Sequence, residues 1–412
     1  MDYSLYLHIP FCTHRCAYCD FNTYAGQQAL IPAYVDALCA EVEWVGRTAP
    51  RDLRLHTIFL GGGTPSLLAA GQAESILGAI RQSFHVRQDA EITIEANPGT
   101  VSEEGLRAMR ALGINRISLG VQSANGEELR MLERTHTYLD VLQAVSAARR
   151  AGFDNLNLDL IYGLPEQTLE TWQSSVKRIV GLRPQHISAY ALTLEHGTPF
   201  GRWTSRGIIA TPDPDVAADM YEWLSEELEA GGYAQYEISN WSREGRACRH
   251  NLQYWRGLPY LGVGAGAHGY ANGYRYSNVL RIQTYVDRMR QAEEAPVLPG
   301  AKASPFPLSP AVVNQHRQTN EDDMAEFMIM GLRLTREGVT PSDFDRRFGM
   351  TLEQRFGTQI AELERLGLLE WVREARNAGR EASTAQDRRA DTFRLTQRGR
   401  LLGNQVFMRF VD

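Results

Sequence analysis

From residue 3 to about residue 195, the sequence alternates short β-type runs with amphipathic segments of helical length. The β-type runs are YSLYLHI (3–9), LHTIFLGGG (55–63), AEITIEANP (90–98), RISLGVQS (116–123), NLNLDLIYG (155–163) and HISAYAL (186–192). Their nearly continuous apolar character is typical of strands that are covered on both faces. Six such units therefore predict a parallel sheet covered by helices. The sheet is either an open doubly wound sheet or part of a β/α barrel, and the period of the sequence does not distinguish the two.

The alternation stops near residue 200, which predicts further modules. A long amphipathic helix over 213–231 precedes a segment rich in Tyr, Trp and Gly, where we expect antiparallel strands and turns. The proline-rich stretch 295–310 predicts a linker or surface loop. Three helices, two short strands and a last helix then predict a winged-helix-like domain. Its charges are mixed rather than clustered, which favours a packing or partner role over DNA binding.

The overall composition excludes several classes of protein. The formal net charge of -6 provides no basic stripe for nucleic acid. Because no apolar window approaches the length of a membrane helix, we expect a soluble protein with at most transient membrane association. The start MDYSLYLHIPF has none of the features of a signal peptide, so a cytoplasmic location is expected.

The segment HIPFCTHRCAYCDF places Cys12, Cys16 and Cys19 on one short stretch directly after the first predicted strand. Disulfides are disfavoured because the cytosol keeps thiols reduced and three cysteines leave one unpaired. Structural zinc is an alternative, since His8 and His14 lie close by, although zinc ligands usually come as two separated pairs. An iron-sulfur cluster is favoured by thiolates crowded on a single loop. If three thiolates hold a cluster of four irons, one iron has no protein ligand and can bind a small molecule.

The spacing Cys-x3-Cys-x2-Cys, with the aromatic Tyr18 before the third cysteine, resembles the signature of the radical S-adenosylmethionine (SAM) superfamily. This resemblance implies an α/β fold, namely a partial (β/α)6 radical SAM barrel with an α+β extension and a C-terminal winged-helix-like domain. It also implies a [4Fe-4S] cluster on the three cysteines, with SAM bound to the open iron. Loops after strands form the functional face of such barrels, which agrees with the place of the cysteines.

Polar residues and glycines at the other strand ends extend the resemblance. They match the SAM-contacting positions of the branch that is related to oxygen-independent coproporphyrinogen III oxidase. The matching residues are Tyr6, Gly62, Gly63, Thr64, Glu95, Gln122, Arg134 and Asp159. The resemblance implies that Arg134 and Glu95 pair with the SAM carboxylate and amine, and Asp159 with the ribose hydroxyls. Taken singly, each polar residue is also typical of a satisfied structural group.

Three features separate the two kinds of protein in this branch, the oxidases and the HemW family of heme chaperones. The oxidases carry a further cysteine two positions after the third, where this chain has Phe21, and they have a longer segment before the cluster loop. The third feature is a segment that resembles the HNxxYW motif of the HemW family, made of His250, Asn251, Tyr254 and Trp255.

Imidazole is a natural axial ligand of heme iron, and aromatic rings offer a flat apolar surface to the macrocycle. Without the family pattern, a histidine beside aromatic residues is more often a core residue. The resemblance thus makes His250 the expected metal ligand. Cys248 is the second candidate and His268 a further one.

The resemblance implies a heme chaperone that binds a [4Fe-4S] cluster, SAM and heme and hands heme to acceptor hemoproteins such as respiratory enzymes. The alternative is an oxygen-independent coproporphyrinogen III dehydrogenase, which decarboxylates a porphyrinogen by radical SAM chemistry, so the sequence leaves open whether the protein is an enzyme. The expected domains are a radical SAM partial barrel (1–200), an α+β extension with the HNxxYW motif (201–295), a linker (296–318) and a winged-helix-like domain (319–412).

Overall fold

The computed structural model describes residues 2–294, 305–372 and 392–411. The strands, in chain order, are β1 (Asp2–Ile9), β2 (Phe11–Cys12), β3 (Tyr24–Ala25), β4 (Arg54–Gly62), β5 (His85–Ala96), β6 (Arg116–Gln122), β7 (Leu156–Tyr162), β8 (His186–Ala191), β9 (Ala234–Glu237), β10 (Asn240–Ser242), β11 (Tyr260–Val263), β12 (His268–Ala271), β13 (Tyr274–Asn278), β14 (Val312–Arg317), β15 (Leu369–Val372) and β16 (Thr392–Leu395). The helices are α1 (Ile31–Thr48), α2 (Ala70–Ser83), α3 (Glu103–Ala111), α4 (Gly126–Met131), α5 (Tyr138–Arg150), α6 (Leu169–Gly181), α7 (Pro199–Ser205), α8 (Pro214–Ala230), α9 (Arg249–Trp255), α10 (Ile282–Glu294), α11 (Asn320–Gly331), α12 (Pro341–Phe348), α13 (Leu352–Arg365), α14 (Gln397–Leu401) and α15 (Gly403–Phe407).

Contacts between the described residues divide the chain into two units. The first unit comprises Met1–Gly232, Cys248–His250 and Pro259–Arg317, and the second comprises Tyr233–Ala247, Asn251–Leu258 and Gln318–Asp412. The segment predicted as a separate extension, 201–295, is thus shared between the two units. Residues 296–304 of the expected linker lie outside the described residues, and its later part contains β14. None of the described helices combines the length and apolar character needed to cross a bilayer.

The first unit is built on a sheet with the strand order β14-β13-β12-β11-β1-β4-β5-β6-β7-β8. The strands from β1 to β8 in this order pair in parallel, which confirms the parallel sheet expected from the sequence. β11 was expected among antiparallel strands, but it pairs in parallel with β1, with Tyr6 opposite Gly262. The strands β12, β13 and β14 continue the sheet in antiparallel fashion. Parallel neighbours need long crossovers, so local sequence patterns did not indicate where β11 would pair.

Several helices begin at side chains that satisfy the unpaired N–H groups of their first turn. Ser102 accepts a hydrogen bond from the N–H of Gly105 at 3.1 Å, as its position before α3 predicts. Thr137, Thr319 and Thr351 each form a reciprocal capping box with the third residue of the helix that follows. Such caps typically contribute about 1 kcal/mol each, so the helix starts are encoded locally.

The two faces of the central strands differ in chemistry. On β1, the fully buried Leu5 and Leu7 alternate with Ser4, Tyr6 and His8. Burial of a leucine side chain contributes about 1.5–3 kcal/mol, so the apolar face stabilises the sheet. The opposite face carries polar side chains on neighbouring strands as well. These are Thr57 on β4, Thr93 and Glu95 on β5, Arg116 and Ser118 on β6, Asn157 and Asp159 on β7, and His186 and Ser188 on β8. The unit therefore has a polar interior face that can hold polar ligands.

The second unit has its own apolar core. It contains α11, α12 and α13 followed by the antiparallel pair β15–β16, which are the elements expected of a winged-helix-like domain. Phe344, Phe356 and Phe393 are at most 1% exposed and belong to one cluster of buried residues with Met328 and Leu332. Phe344 and Phe356 meet edge to face with ring centroids 6.0 Å apart. This buried aromatic and aliphatic cluster stabilises the fold of the second unit.

Candidate functional site

The three clustered cysteines lie on the loop that follows β1. The short strand β2 pairs in parallel with β3, which ties the start of the loop to its end. The N–H of Thr64 donates to the carbonyl of Phe11 at 2.8 Å, and the N–H of Cys19 donates to the carbonyl of Cys16 at 3.1 Å. These bonds hold the loop beside the carboxyl end of β4. In β/α folds, this edge of the sheet is where ligands usually bind.

Each cysteine sulfur has a polar neighbour. The contacts are Thr64 Oγ1 to Cys12 Sγ at 3.6 Å, Arg134 Nη1 to Cys16 Sγ at 3.5 Å, and Thr23 Oγ1 to Cys19 Sγ at 3.9 Å. Burial is the main reason that the pKa values of the Cys12 and Cys19 thiols are raised, and the neighbouring hydroxyls act in the opposite direction. The site thus offers three thiols with hydroxyl or guanidinium groups beside their sulfurs.

This donor set fits an iron-sulfur cluster. Thiolates are the usual ligands of iron-sulfur irons, and N–H and O–H groups beside the sulfurs offset their negative charge. Within residues 2–294, 305–372 and 392–411, no three His, Cys, Asp or Glu side chains are grouped around a position for a single metal ion. A four-iron cluster needs a different arrangement, in which each cysteine binds its own iron.

The turn after β4 requires glycine. Gly62 has φ of +105°, and a Cβ atom there would lie 2.4 Å from the ring of His8. A Cβ atom at Gly63 would lie 2.6 Å from the carbonyl oxygen of Phe11. Side chains at these positions would therefore collide with the cysteine loop and the strand before it. The glycines allow the β4 turn to approach this loop closely.

Arg134 connects the cysteine loop to the ends of β5 and β6. Its Nη2 atom donates to Asn97 Oδ1 at 2.5 Å and to the carbonyl of Gly120 at 2.7 Å. The Nδ2 atom of Asn97 donates in turn to Thr64 Oγ1 at 2.9 Å. Asn97 was not among the predicted site residues, although it lies in the same strand end, IEANP, that supplies Glu95. A polar residue at a parallel strand end was the signal that could have identified it.

Glu95 and Asp159 form an acidic pair on the interior face. Glu95 Oε2 accepts a hydrogen bond from the N–H of Gly62 at 2.9 Å. Burial, followed by the charge of Asp159, raises the pKa of Glu95 to about 7. Asp159 accepts hydrogen bonds from Ser118 at 2.9 Å and Asn157 at 2.7 Å, and burial raises its pKa as well. Two carboxyls in such surroundings can accept hydrogen bonds from a cationic or hydroxyl-bearing ligand.

The remaining predicted SAM-binding residues lie in the same region. Gln122 has φ of +69°. Its side chain and that of Arg134 both lie close to Gly120, since a Cβ atom at Gly120 would be 3.0 Å from Gln122 Nε2 and 3.3 Å from Arg134 Nη2. A left-handed conformation is uncommon for glutamine, and such strain is often found at functional sites. The hydroxyl of Tyr6 lies 3.0 Å from His8 Nδ1. Burial raises the pKa of Tyr18, while the charge of Arg134 opposes this shift.

His250, from the predicted heme motif, is buried in the first unit. Its side chain is 1% exposed, and its Nδ1 atom lies 2.8 Å from Thr57 Oγ1. Because the Thr57 hydroxyl donates its single hydrogen to Ser4 at 2.5 Å, it accepts from Nδ1, and the lone pair of the ring is on Nε2. Burial lowers the pKa of His250 to about 3, so the imidazole is neutral at physiological pH.

The other members of the motif belong to the second unit, where Asn251, Tyr254 and Trp255 are partly buried. The guanidinium carbon of Arg333 lies 4.3 Å from the centroid of the Trp255 ring, a cation–π contact within that unit. The two alternative ligands lie in the first unit. Cys248 is fully buried and its thiol lies 3.5 Å from Glu91 Oε1, whereas His268 is exposed.

A buried carboxylate that the sequence analysis missed supports the loop after β11. Glu41 on α1 is 1% exposed and accepts hydrogen bonds from four groups. The donors are the N–H of Gly264 (2.7 Å), Tyr285 Oη (2.7 Å), Asn278 Nδ2 (2.8 Å) and Ser309 Oγ (2.6 Å). The signal in the sequence was a charged residue on the apolar face of α1, three residues after the buried Leu38.

Comparison with known proteins agrees with this architecture. The radical SAM superfamily matches residues 6–179, and the HemN C-terminal domain family matches residues 318–371. The solved structure of coproporphyrinogen III oxidase (HemN) from Escherichia coli superimposes with a TM-score of 0.77 over 99% of this chain and 89% of that chain. The two sequences are 24% identical, so this similarity concerns the fold.

Curated relatives extend the similarity over the whole chain. The heme chaperone HemW of Lactococcus lactis is 36% identical, covering 99% of this chain and 97% of that protein. HemW of Bacillus subtilis is also 36% identical, with 99% of both chains covered. HemW of a Synechocystis species is 40% identical over 82% of this chain and 80% of its own. The chain therefore belongs to the HemW family of the radical SAM superfamily, related to oxygen-independent coproporphyrinogen III oxidase.

Proposed function

We propose that this protein is a heme chaperone that binds heme and transfers it to acceptor hemoproteins, and that it carries a [4Fe-4S] cluster and SAM. The observation that carries the proposal is the similarity to proteins named heme chaperone HemW along nearly the full length of both chains. The position after the cysteines adds support. Phe21, where the oxidases have a further cysteine, is 62% exposed.

In this proposal, Cys12, Cys16 and Cys19 hold the cluster. A [4Fe-4S] cluster with three cysteine ligands supplies one open iron for chelation of SAM and a site for one-electron transfer. The guanidinium of Arg134 lies beside Cys16 and is the proposed partner of the SAM carboxylate. The remaining proposed SAM contacts are Tyr6, Tyr18, Gly62, Gly63, Thr64, Glu95, Gln122 and Asp159.

Heme binding by the HNxxYW segment is part of the same proposal. The tautomer of His250, with its lone pair on Nε2, suits an iron ligand whose other nitrogen donates a hydrogen bond. The ring is 1% exposed, so iron reaches Nε2 only when the segment around His250 moves. Asn251, Tyr254 and Trp255 are the proposed contacts of the macrocycle. Cys248 and His268 are tested beside His250 as alternative ligands.

The test uses the full-length protein reconstituted with iron and sulfide under anaerobic conditions. One sample is titrated with heme and then mixed with an apo-hemoprotein, and a second is incubated with coproporphyrinogen III, SAM and a reductant. We expect stoichiometric heme binding, transfer of heme to the acceptor and no decarboxylated porphyrinogen. Product formation without heme binding would replace the chaperone with the dehydrogenase as the function of this chain.

A further inference from the structure

Asn97 joins two of the three cluster cysteines through a continuous chain of side chains. Its Oδ1 atom accepts from Arg134 Nη2 at 2.5 Å, and Arg134 Nη1 lies 3.5 Å from Cys16 Sγ. On its other side, Asn97 Nδ2 donates to Thr64 Oγ1 at 2.9 Å, and Thr64 Oγ1 lies 3.6 Å from Cys12 Sγ. One amide therefore connects the polar neighbours of both sulfurs.

The orientation of this amide follows from the chemistry of its partners. A guanidinium can only donate hydrogen bonds, so the oxygen of the Asn97 side chain must face Arg134. The NH2 group then faces Thr64, and the hydroxyl oxygen of Thr64 is the acceptor. The hydroxyl has a single hydrogen, which is left to point at Cys12 Sγ. Thr64 is 1% exposed, so solvent does not compete for that hydrogen.

We propose that Asn97 is a positioning residue that directs the Thr64 hydroxyl to Cys12 and, together with the carbonyl of Gly120, orients the Arg134 guanidinium. It thereby sets the hydrogen bond to the Cys12 sulfur and helps to hold the guanidinium that pairs with the SAM carboxylate. The inference rests on the proposed function in taking these cysteines as cluster ligands and Arg134 as the partner of the SAM carboxylate. Hydrogen bonds to sulfur are one of the factors that set the reduction potential of an iron-sulfur cluster, so Asn97 tunes this potential without touching the sulfurs.

Two substitutions test separately the hydrogen bond of Asn97 with Arg134 and its hydrogen bond with Thr64. In Asn97→Asp, a carboxylate of the same shape still accepts from Arg134, but it also accepts from Thr64 and draws the hydroxyl hydrogen away from Cys12. In Asn97→Ala, Arg134 loses one of the two acceptors of Nη2 and keeps the carbonyl of Gly120, which holds it beside Cys16. The Thr64 hydroxyl can still donate to Cys12. A general structural defect would change the reduction potential of the cluster and the affinity for SAM together. The proposal predicts that each variant changes mainly one of these two quantities.

The measurements are the midpoint potential of the reconstituted cluster, followed by electron paramagnetic resonance, and the dissociation constant of SAM. For Asn97→Asp we expect a more negative potential with nearly unchanged SAM affinity. A tenfold change in the one-electron reduction equilibrium corresponds to about 59 mV. For Asn97→Ala we expect about tenfold weaker SAM binding, the usual scale for a lost hydrogen bond to a charged group, with a nearly unchanged potential.

The negative charge of Asp could itself lower the potential, and Thr64→Val controls for this effect. Thr64→Val should lower the potential as Asn97→Asp does, and Thr64→Ser, which keeps the hydroxyl, should not. In the double variant, Asn97→Asp should add little to Thr64→Val if it acts through the hydroxyl. A full additional shift would assign the effect to charge alone and overturn the inference.

The remaining outcomes are also decisive. If the wild-type protein assembles a cluster and both Asn97 variants keep its potential and SAM affinity, the inference is wrong and the proposed function stands. If the wild-type protein assembles no cluster, the proposed function loses its cofactor and the inference falls with it. Should Asn97→Asp fail to fold, as judged by circular dichroism, Asn97→Ala with its two readouts still tests the inference, and a parallel loss of both quantities overturns it.

Discussion

The Nδ1 atom of His250 lies 2.8 Å from the hydroxyl oxygen of Thr57, on the interior face of the first unit. His250→Ala removes the imidazole that we propose as the axial ligand, so the heme absorption band should disappear or shift strongly, while the cluster persists. Cys12→Ser should do the reverse, because it removes a cluster ligand and leaves the heme segment intact. The measurements are absorption spectra during heme titration and the iron and sulfide content of each variant.

The two alternative ligands provide the comparison for this prediction. Cys248→Ser and His268→Ala should keep the wild-type heme spectrum. If His250→Ala binds heme normally while one of these variants does not, the ligand is that residue, and His250 has a structural role in the interior. If the wild-type protein binds no heme at all, the chaperone proposal is wrong.

Cys16→Ser should abolish the iron-sulfur cluster, because two thiolates cannot hold it. The wild-type protein should contain about four iron and four sulfide per chain after anaerobic reconstitution. Cys39→Ser is the matched control, since Cys39 lies on α1 outside the cysteine loop, and it should retain the full content of iron and sulfide. Stoichiometric zinc without sulfide in the wild-type protein would contradict the cluster.

Glu95→Ala should weaken SAM binding by tenfold or more, because it removes a charged partner of the ligand rather than of iron. The iron and sulfide content should not change. Isothermal titration of the reconstituted protein with SAM measures the affinity, and Glu104→Ala, an exposed residue on α3, serves as the control. Unchanged SAM affinity would make Glu95 a structural residue of the interior.

Glu95→Gln should alter how stability depends on pH in the cluster-free protein. The folded-state pKa of Glu95, about 7, lies above its ordinary value of 4.5. The wild-type stabilisation from the protonated carboxyl is therefore fully present below pH 4.5 and is lost as pH rises through 7. Gln keeps the hydrogen bond from Gly62 and does not ionise. Between pH 5 and pH 8, the stability of Glu95→Gln relative to the wild type should increase by about 2–3 kcal/mol in urea unfolding.

Glu104→Gln is the matched control for the pH experiment, since it makes the same substitution at an exposed position on α3. A pH-independent difference for Glu95→Gln would mean that Glu95 titrates near its ordinary pKa. In that case the carboxylate is solvated rather than held in the interior.

Glu41→Ala should destabilise the first unit by about 3–5 kcal/mol, because four buried donors lose their common acceptor. Thermal or urea unfolding of the full chain measures the loss. Asp36→Ala, an exposed acidic residue on the same helix, should change the free energy of unfolding by less than about 0.5 kcal/mol. An equally small effect for Glu41→Ala would contradict the role of this carboxylate in holding the loop after β11.

Local patterns in the sequence were sufficient to predict the main strands and helices of the first unit. The alternation of apolar runs and helical segments indicated strands close to the observed β1, β4, β5, β6, β7 and β8, because side-chain period and helix caps are properties of neighbouring residues. The spacing of Cys12, Cys16 and Cys19 indicated a set of ligands on one loop for the same reason. All three thiols lie within a few residues of one another, so a shared ligand site can be expected before the fold is known.

Only the tertiary structure decided which distant residues meet. Glu41 and Gly264 are 223 positions apart, and Asn97 and Arg134 are 37 apart, so their hydrogen bonds depend on the order of strands in the sheet. The parallel pairing of β11 with β1 and the burial of His250 against Thr57 likewise follow from long-range packing. The sequence determined the elements and the cysteine loop, because those rest on short-range periodicity and spacing. The network around the loop was decided by the tertiary structure, because a hydrogen bond depends on distance in space.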